Sequence, residues 1–488
     1  MSLSVCTECL ARLRLSSKPS ILSPATASVA ISQTSLFHSS AAQHASIIKK
    51  KAPPQLKGPR RSQGVRLKKK AREKITLPAV GERRALRRRI IISNTNALEV
   101  KEMEDLSAQN AVLEESSNQV LGLSGPILDQ LRDCEAFKRT QNWNMFRRPA
   151  TLIRSETLDV ARTMEQVAPG QTAKLFLTGE RQSGKSILLL QAMYLAFLKD
   201  WIVINIPEAQ DFVNNTSAYG PLRSQSAEGE EQSNAEQLYI QPGLAKALLH
   251  RLAYSNEAVL KSLKLNHQHP GFLRVKPTSS ISDLALIGAQ EQTLAVPVWE
   301  AVWKELNTPG QDPRPPILLT VDSVDHWMGP SKYRSAEFEV IHAQQFTLVK
   351  QLTELFFSEG KTPLAHGGMM MMSTSGSNKP GFPSFGMLIE QFRARDKGVD
   401  PSSSAFPVPQ PYSKTDTRVT GLFSKNAGVR FMDVNGSTVS ESKALLEYFA
   451  RSGLLHRGVT DHVVNQLRAL SSGGVMGELA RLGRRVTA

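Results

Sequence analysis

Gly179-Glu180-Arg181-Gln182-Ser183-Gly184-Lys185-Ser186 fits G-x-x-x-x-G-K-[ST] at every fixed position. Its surroundings restrict the fold further. Leu175-Phe176-Leu177 precedes it as a short apolar strand, and Ile187 to Leu198 follows as an apolar run of helix length without Pro or Gly. A strand that turns into a helix over a glycine-bracketed loop points backbone N–H groups and the helix N-terminus at an anion. In such a loop Gly179, Gln182, Ser183 and Gly184 cradle phosphate, Lys185 brings charge to the β- and γ-phosphates, and the Ser186 hydroxyl is placed to ligate Mg²⁺. Nucleotide binding is the expectation. The alternative is a loop that kept its shape and lost its ligand.

A second element fits the first. Ile317-Leu318-Leu319-Thr320-Val321-Asp322 reads as a buried strand ending in an acid. An acid at the carboxyl end of a parallel strand faces the phosphate site and can hold Mg²⁺ through water. Many ATPases of this architecture place Glu directly after that Asp to activate water. Here Ser323 follows, and the next acid is Asp325. General-base capacity is therefore weak, and slow hydrolysis or none is expected, with no catalytic residue assigned. Ile202–Ile206, ended by Pro207, and Met369–Met372, leading into Ser373-Thr374-Ser375, extend a parallel sheet. The methionine run reads as a buried strand rather than a soft-metal site, and Thr374 is a candidate sensor of the γ-phosphate. Asn378-Lys379-Pro380-Gly381 begins like a guanine-reading N-K-x-D box but has Gly381 where the Asp is needed. Helical stretches are expected at Leu244–Leu252 and Phe338–Phe357. Residues 219–237 read as a solvated acidic loop, and 399–414, with four prolines, as a linker or surface loop. Ala444–Phe449, Val463–Leu470 and Glu478–Leu482 suggest a small helical C-terminal lobe.

Charge is distributed unevenly. The net +16 comes from 60 Lys+Arg against 44 Asp+Glu, yet residues 49–89 alone carry 17 basic residues against Glu73 and Glu82. Residues 90–488 are left near −1, so this is not a uniformly basic DNA-coating chain. At 40% apolar residues it can build a core. It has no apolar run of 18 residues, hence no expected transmembrane helix, and its three cysteines cannot staple a scaffold. The basic stretch has several Pro and Gly and no Phe, Tyr or Trp. It should be disordered alone and contact the phosphate backbone of structured RNA, with Lys68, Lys69, Lys70, Arg87, Arg88 and Arg89 among its contacts. A solvated tail, an extended import signal or an anionic membrane contact are the alternatives. Residues 9–72 hold no Asp or Glu, and Ser and Ala dominate up to 46. That composition fits a mitochondrial transit peptide with a cleavage region near Ser35–Ala41, as against a merely disordered N-terminus. Cys6-x-x-Cys9 lacks a second pair to make a metal site.

Gly179–Ser186, Asp200–Ala209, Tyr239–Pro242 and Val321-Asp322 together resemble the death-associated protein three family of mitochondrial small-subunit ribosomal proteins, its fungal members above all. The resemblance covers roughly 140–485, and the Trp201–Ala209 block is its most discriminating part. It implies an α/β P-loop NTPase fold of the AAA+/STAND type, in the head of the small subunit near the large-subunit interface. It further implies a guanine nucleotide, with adenine open (GTP/GDP or ATP), and Mg²⁺ on Ser186 and Asp322. By analogy Arg148 and Pro149, within Arg147–Ala150, line the base pocket. The expected organisation is a transit peptide (1–48), a basic RNA-binding arm (49–95), a lead-in (96–150), the nucleotide-binding domain (151–390), and a Pro-rich linker with the helical lobe (391–488). The expected role is a structural ribosomal protein of the mitochondrial matrix. Its expected partners are small-subunit rRNA, neighbouring ribosomal proteins and the large subunit, without homo-oligomers. The alternative is a mitochondrial P-loop NTPase acting as an assembly factor or STAND-type switch.

Overall fold

The computed structural model describes residues 90–167, 169–222, 237–269, 271–272, 278–309, 314–357, 363–376, 378–400, 402–408, 412, 414–423 and 428–485. The transit peptide, Cys6 and Cys9, and Lys68–Lys70 and Arg87–Arg89 of the basic arm lie outside them.

At the centre is a five-stranded sheet, parallel throughout. Its strands are β1 (Thr172–Thr178), β2 (Ile202–Ile206), β3 (Ile317–Val321), β4 (Gly368–Ser373) and β5 (Val429–Asp433), in the order β5-β1-β4-β3-β2. Met371 sits between Leu175 and Thr320, and Ile204 lies opposite Leu319. The inner strands are covered on both faces, which is why they read as continuous apolar runs rather than alternating ones. Period-2 geometry still divides their side chains between two cores. Phe176, Ile202, Ile204, Ile206, Leu319, Met370 and Met372 point into one; Leu175, Leu177, Val203, Leu318, Met369 and Met371 into the other. The methionine run is thus a core strand contributing to both layers. Each fully buried side chain of this kind contributes about 1.5–3 kcal/mol.

Helices α1 (Gly125–Asp133), α2 (Ser155–Gln166) and α3 (Lys185–Leu198) close the second core. The first is closed by α4 (Pro242–Ser255), α5 (Ile281–Gln290), α6 (Ala295–Asn307), α7 (Thr347–Phe357) and α8 (Pro383–Asp396). From β1 the chain runs through α3 to β2 at the far edge, returns through β3 and β4, and then crosses β1 to β5. The direction of winding therefore reverses between β1 and β4, and a crevice opens at their carboxyl ends. One polar staple crosses the second layer: Asn205 donates to Cys134 O at 2.8 Å and accepts from the Thr320 hydroxyl at 2.8 Å. Burial pushes the Cys134 thiol up to about 12, so it stays protonated and inert.

Three expectations change. Residues 96–150 are not a mere lead-in: Leu106, Leu121, Ile127, Leu131, Phe137 and Trp143, joined by Ile92 from just ahead of them, complete the core over α3. The Tyr194 hydroxyl ties that segment down by donating to Leu106 O at 3.0 Å. The last residues of the stretch assigned to the arm thus belong to the fold. The helix expected over Phe338–Phe357 exists only from Thr347; Val340–His342 pairs antiparallel with Pro330–Arg334. The left-handed turn at Phe338, φ 64°, is incompatible with a helix, and the alternating burial of Pro330–Arg334 is a strand's. Finally, β5 lies past residue 390 and adds to the free edge of β1, so the α/β unit reaches into the segment assigned to linker and lobe. Beyond it, α9 (Val439–Arg451), α10 (Asp461–Leu470) and α11 (Met476–Arg485) form the helical lobe around Leu446, Phe449, Val464, Leu467 and Leu479. Among the described residues no helix is long and apolar enough to cross a membrane, and no cluster of three His, Cys, Asp or Glu could hold a metal alone.

Candidate nucleotide-binding site

The crevice is a cavity of about 900 Å³ at the carboxyl ends of β1, β3 and β4. Its floor is the loop between β1 and α3. Gly179 at φ 140° and Gly184 at φ 113° let the chain fold back on itself, and a Cβ on Gly179 would lie 2.3 Å from Val434 O. Lys185 begins α3 and turns inward, donating to Gly179 O at 2.9 Å and Glu180 O at 2.7 Å. Burial lowers its pKa, with Asp322 and Asp325 opposing.

Asp322 directly follows β3, and both oxygens of its carboxylate are engaged. Ser186 donates to Oδ2 at 2.6 Å, Ser373 at the end of β4 donates to Oδ1, and the Lys138 ammonium also reaches Oδ2. Lys138 lies 3.5 Å from Glu208 Oε2 as well. Burial pulls its pKa down, but the two carboxylates outweigh that and hold it above the usual lysine value. Asp322, Glu208 and the Ser186 hydroxyl are hard oxygen donors on one wall, a set that suits Mg²⁺. Asp325 turns elsewhere: Ser323 takes a left-handed conformation, φ 65°, and Asp325 Oδ1 then accepts the Ser375 N–H at 2.8 Å. Its other oxygen is buried with no hydrogen-bond partner, and burial pushes the carboxyl up to about 6.

The phosphate-side residues read from the sequence, Gln182, Ser183, Gly184, Lys185, Ser186 and Asp322, all line this cavity, as does Thr374. Gly179 sits beneath them, its carbonyl on Lys185. The Thr374 hydroxyl donates back to Leu177 O at 3.4 Å; the neighbour that touches Asp322 is Ser373. Arg148 and Pro149 are elsewhere. Arg148 is held by Asp105 Oδ1 and Met103 O, each at 2.6 Å, and Pro149 O accepts from Leu123 N–H at 3.0 Å. The cavity wall in that stretch is Phe146 and Ala150–Leu152.

Other lining residues have no motif. Lys138, Gln141 and Trp143 come from the turn after α1, and Tyr448, Phe449 and Arg481 from the C-terminal lobe. Phe146 and Tyr448 stack with ring centroids 5.1 Å apart, joining the two segments. Arg154, buried at the start of α2, donates to Ser183 O at 3.3 Å and to Asn435 O at 3.1 Å, and faces Glu441 at 3.3 Å. The N–H of Gly477, in α11, donates to Gln182 O at 3.0 Å. The lobe is therefore anchored directly on the loop between β1 and α3.

Residues 151–482, which span β1–β5, the loop and most of the lobe, match the family described as mitochondrial ribosomal death-associated protein 3. The chain belongs to that family. It is 35% identical to the small ribosomal subunit protein mS29 of Neurospora crassa over 427 residues, 86% of this chain and 87% of that protein. It is 22% identical to the protein of the same name from Schizosaccharomyces pombe over 76% of this chain and 73% of that one. With the Mus musculus protein of that name it shares 24% over 207 residues, 41% of this chain and 48% of that one. The family match starts at 151, so Lys138 and Trp143 lie ahead of it, while the loop, Asp322 and Ser373 lie within it.

Proposed function

We propose that the chain is a structural protein of the mitochondrial small ribosomal subunit, working in the matrix. Its α/β unit is a P-loop NTPase domain of the AAA+/STAND type that keeps a purine nucleotide, GTP/GDP or ATP, as a resident ligand with Mg²⁺. The observation that carries this reading is the convergence of Lys185, Ser186 and Asp322 on the floor of one cavity large enough for a nucleotide. The ribosomal role rests on the family and on the relatives' names. The basic arm contacts rRNA phosphates, with Lys68–Lys70 and Arg87–Arg89 in that role, and neighbouring ribosomal proteins surround the folded unit.

A resident ligand suits the carboxylates present. The residue after Asp322 is a serine, Asp325 is turned to a backbone N–H, and Glu208 is engaged by Lys138. None of these three positions offers a free carboxylate to activate water, whereas binding alone stabilises the fold that binds. At a ligand concentration of 1,000 Kd that stabilisation is about 4 kcal/mol. Nucleotide extracted from native small subunits should be stoichiometric with this chain, and Lys185→Ala should lower both nucleotide occupancy and incorporation into the subunit. Subunits that carry the variant at wild-type occupancy would refute the resident-ligand role.

A further inference from the structure

Lys138 is a cation from outside the family-matched region that sits on the acid expected to hold a metal. Its position is built. Phe137 beside it is core, its own N–H donates to Gln141 Oε1 at 2.8 Å, and the Trp143 Nε1–H donates to the same oxygen at 2.7 Å. From there the ammonium reaches Asp322 Oδ2, the oxygen that also accepts from Ser186, and lies 3.5 Å from Glu208. The Asp322 side chain is only 6% exposed, so solvent screens this charge poorly.

We infer that Lys138 is a built-in counter-cation for Asp322 and Glu208, which keeps free divalent metal off the site and makes nucleotide binding largely independent of metal. The inference rests on the nucleotide reading for its second half only. An ammonium and a divalent ion on one carboxylate repel each other, so the metal enters only when phosphate oxygens compensate. Removing the ammonium takes from Asp322 and Glu208 the counter-charge they share and leaves them, with the Ser186 hydroxyl, as a hard-oxygen set that attracts a divalent cation more strongly. Lys138 is a positioning residue in this scheme, acting through the carboxylates.

The test uses the purified full chain, wild type, Lys138→Met and Lys138→Arg, each checked for a cooperative thermal transition. Mn²⁺ alone is titrated by electron paramagnetic resonance. Lys138→Met should bind it at least tenfold more tightly than wild type, and Lys138→Arg should behave like wild type. Equal Mn²⁺ affinity in all three overturns the inference, as does a Lys138→Arg chain that binds Mn²⁺ like the methionine variant. In a second arm GDP is titrated with and without Mg²⁺. Chelating the metal should cost wild type less than tenfold and Lys138→Met at least a hundredfold; equal costs overturn the metal-independence. A wild-type chain that takes no GDP, GTP or ATP in either condition sinks the nucleotide reading instead, and the Mn²⁺ comparison still decides the role of Lys138.

Discussion

On the floor of the cavity, the groups that face the space come from the loop between β1 and α3, the first turn of α3 and the strand ends, and its two central charges are already engaged: Lys185 by two carbonyls, Asp322 by Ser186, Ser373 and, from the wall, Lys138. The opposite wall is built from the turn after α1 and from α9 and α11, segments some 300 residues apart, held together by aromatic packing at Phe146, Tyr448 and Phe449. The floor is rigid because a parallel sheet fixes the spacing of its strand ends. The wall is only as rigid as the docking of a small lobe with a core of its own. On the proposed reading a phosphate group would meet Lys185 and Ser186 on a fixed scaffold, whereas whatever lies against the wall would meet surfaces that can separate.

Gly179→Ala attacks the floor hardest. It combines a φ of 140° with a contact of 2.3 Å to Val434 O. A stability loss of about 3 kcal/mol or more is expected in a urea melt, together with loss of nucleotide binding. A near-neutral result would mean the loop is not held as tightly as the floor's geometry requires. Lys185→Ala leaves the backbone alone and removes one charge-assisted donor. Its cost should appear as roughly a hundredfold weaker GDP affinity by calorimetry, about 2.7 kcal/mol. The wall responds less. Tyr448→Leu keeps most of the buried volume but removes the ring pair with Phe146, at about 1 kcal/mol of stability and a few-fold in affinity. If Tyr448→Leu cost more affinity than Lys185→Ala, the ranking of the two ends would be reversed.

The same contrast separates what the sequence announces from what it hides. The floor is written locally: Gly179–Ser186 between an apolar strand and an apolar helix, and Val321-Asp322 at the end of a β-run, each need only neighbouring residues to be recognised. The inner strands were legible for the same reason, since burial on both faces leaves uninterrupted apolar runs such as Met369–Met372. Edge elements were not. β5 has Arg430 and Asp433 facing out and a short, half-buried pattern, and the 330–342 hairpin was masked by the helix that follows it. The wall is written in no motif at all. Lys138, Trp143, Arg154 and Tyr448 become neighbours only through tertiary packing, and an analogy that settled on Arg148 and Pro149 missed the wall by a few positions. A lysine following a buried phenylalanine, three residues before the glutamine that fixes it, is the faint local trace Lys138 leaves.

The smallest effect probes why the floor should hold a nucleotide rather than hydrolyse it. Asp325 is the nearest acid after Asp322, and burial raises its carboxyl from 3.8 to about 6. A raised carboxyl pKa means the folded chain binds more protons than the unfolded one between those two values, so this group's contribution to stability grows as pH falls through 6. From about pH 7.5 to about pH 5.5 the gain is about 0.8 kcal/mol by that linkage. Asparagine at 325 can still accept the Ser375 N–H but cannot titrate. The unfolding free energy of wild type should therefore rise by that amount relative to Asp325→Asn over the same interval, measured by urea melts at each pH. Parallel curves would mean that Asp325 stays ionised and solvated. It would then be a carboxylate free to turn toward the cavity and activate water, and the floor would have the one group whose absence makes its ligand a resident.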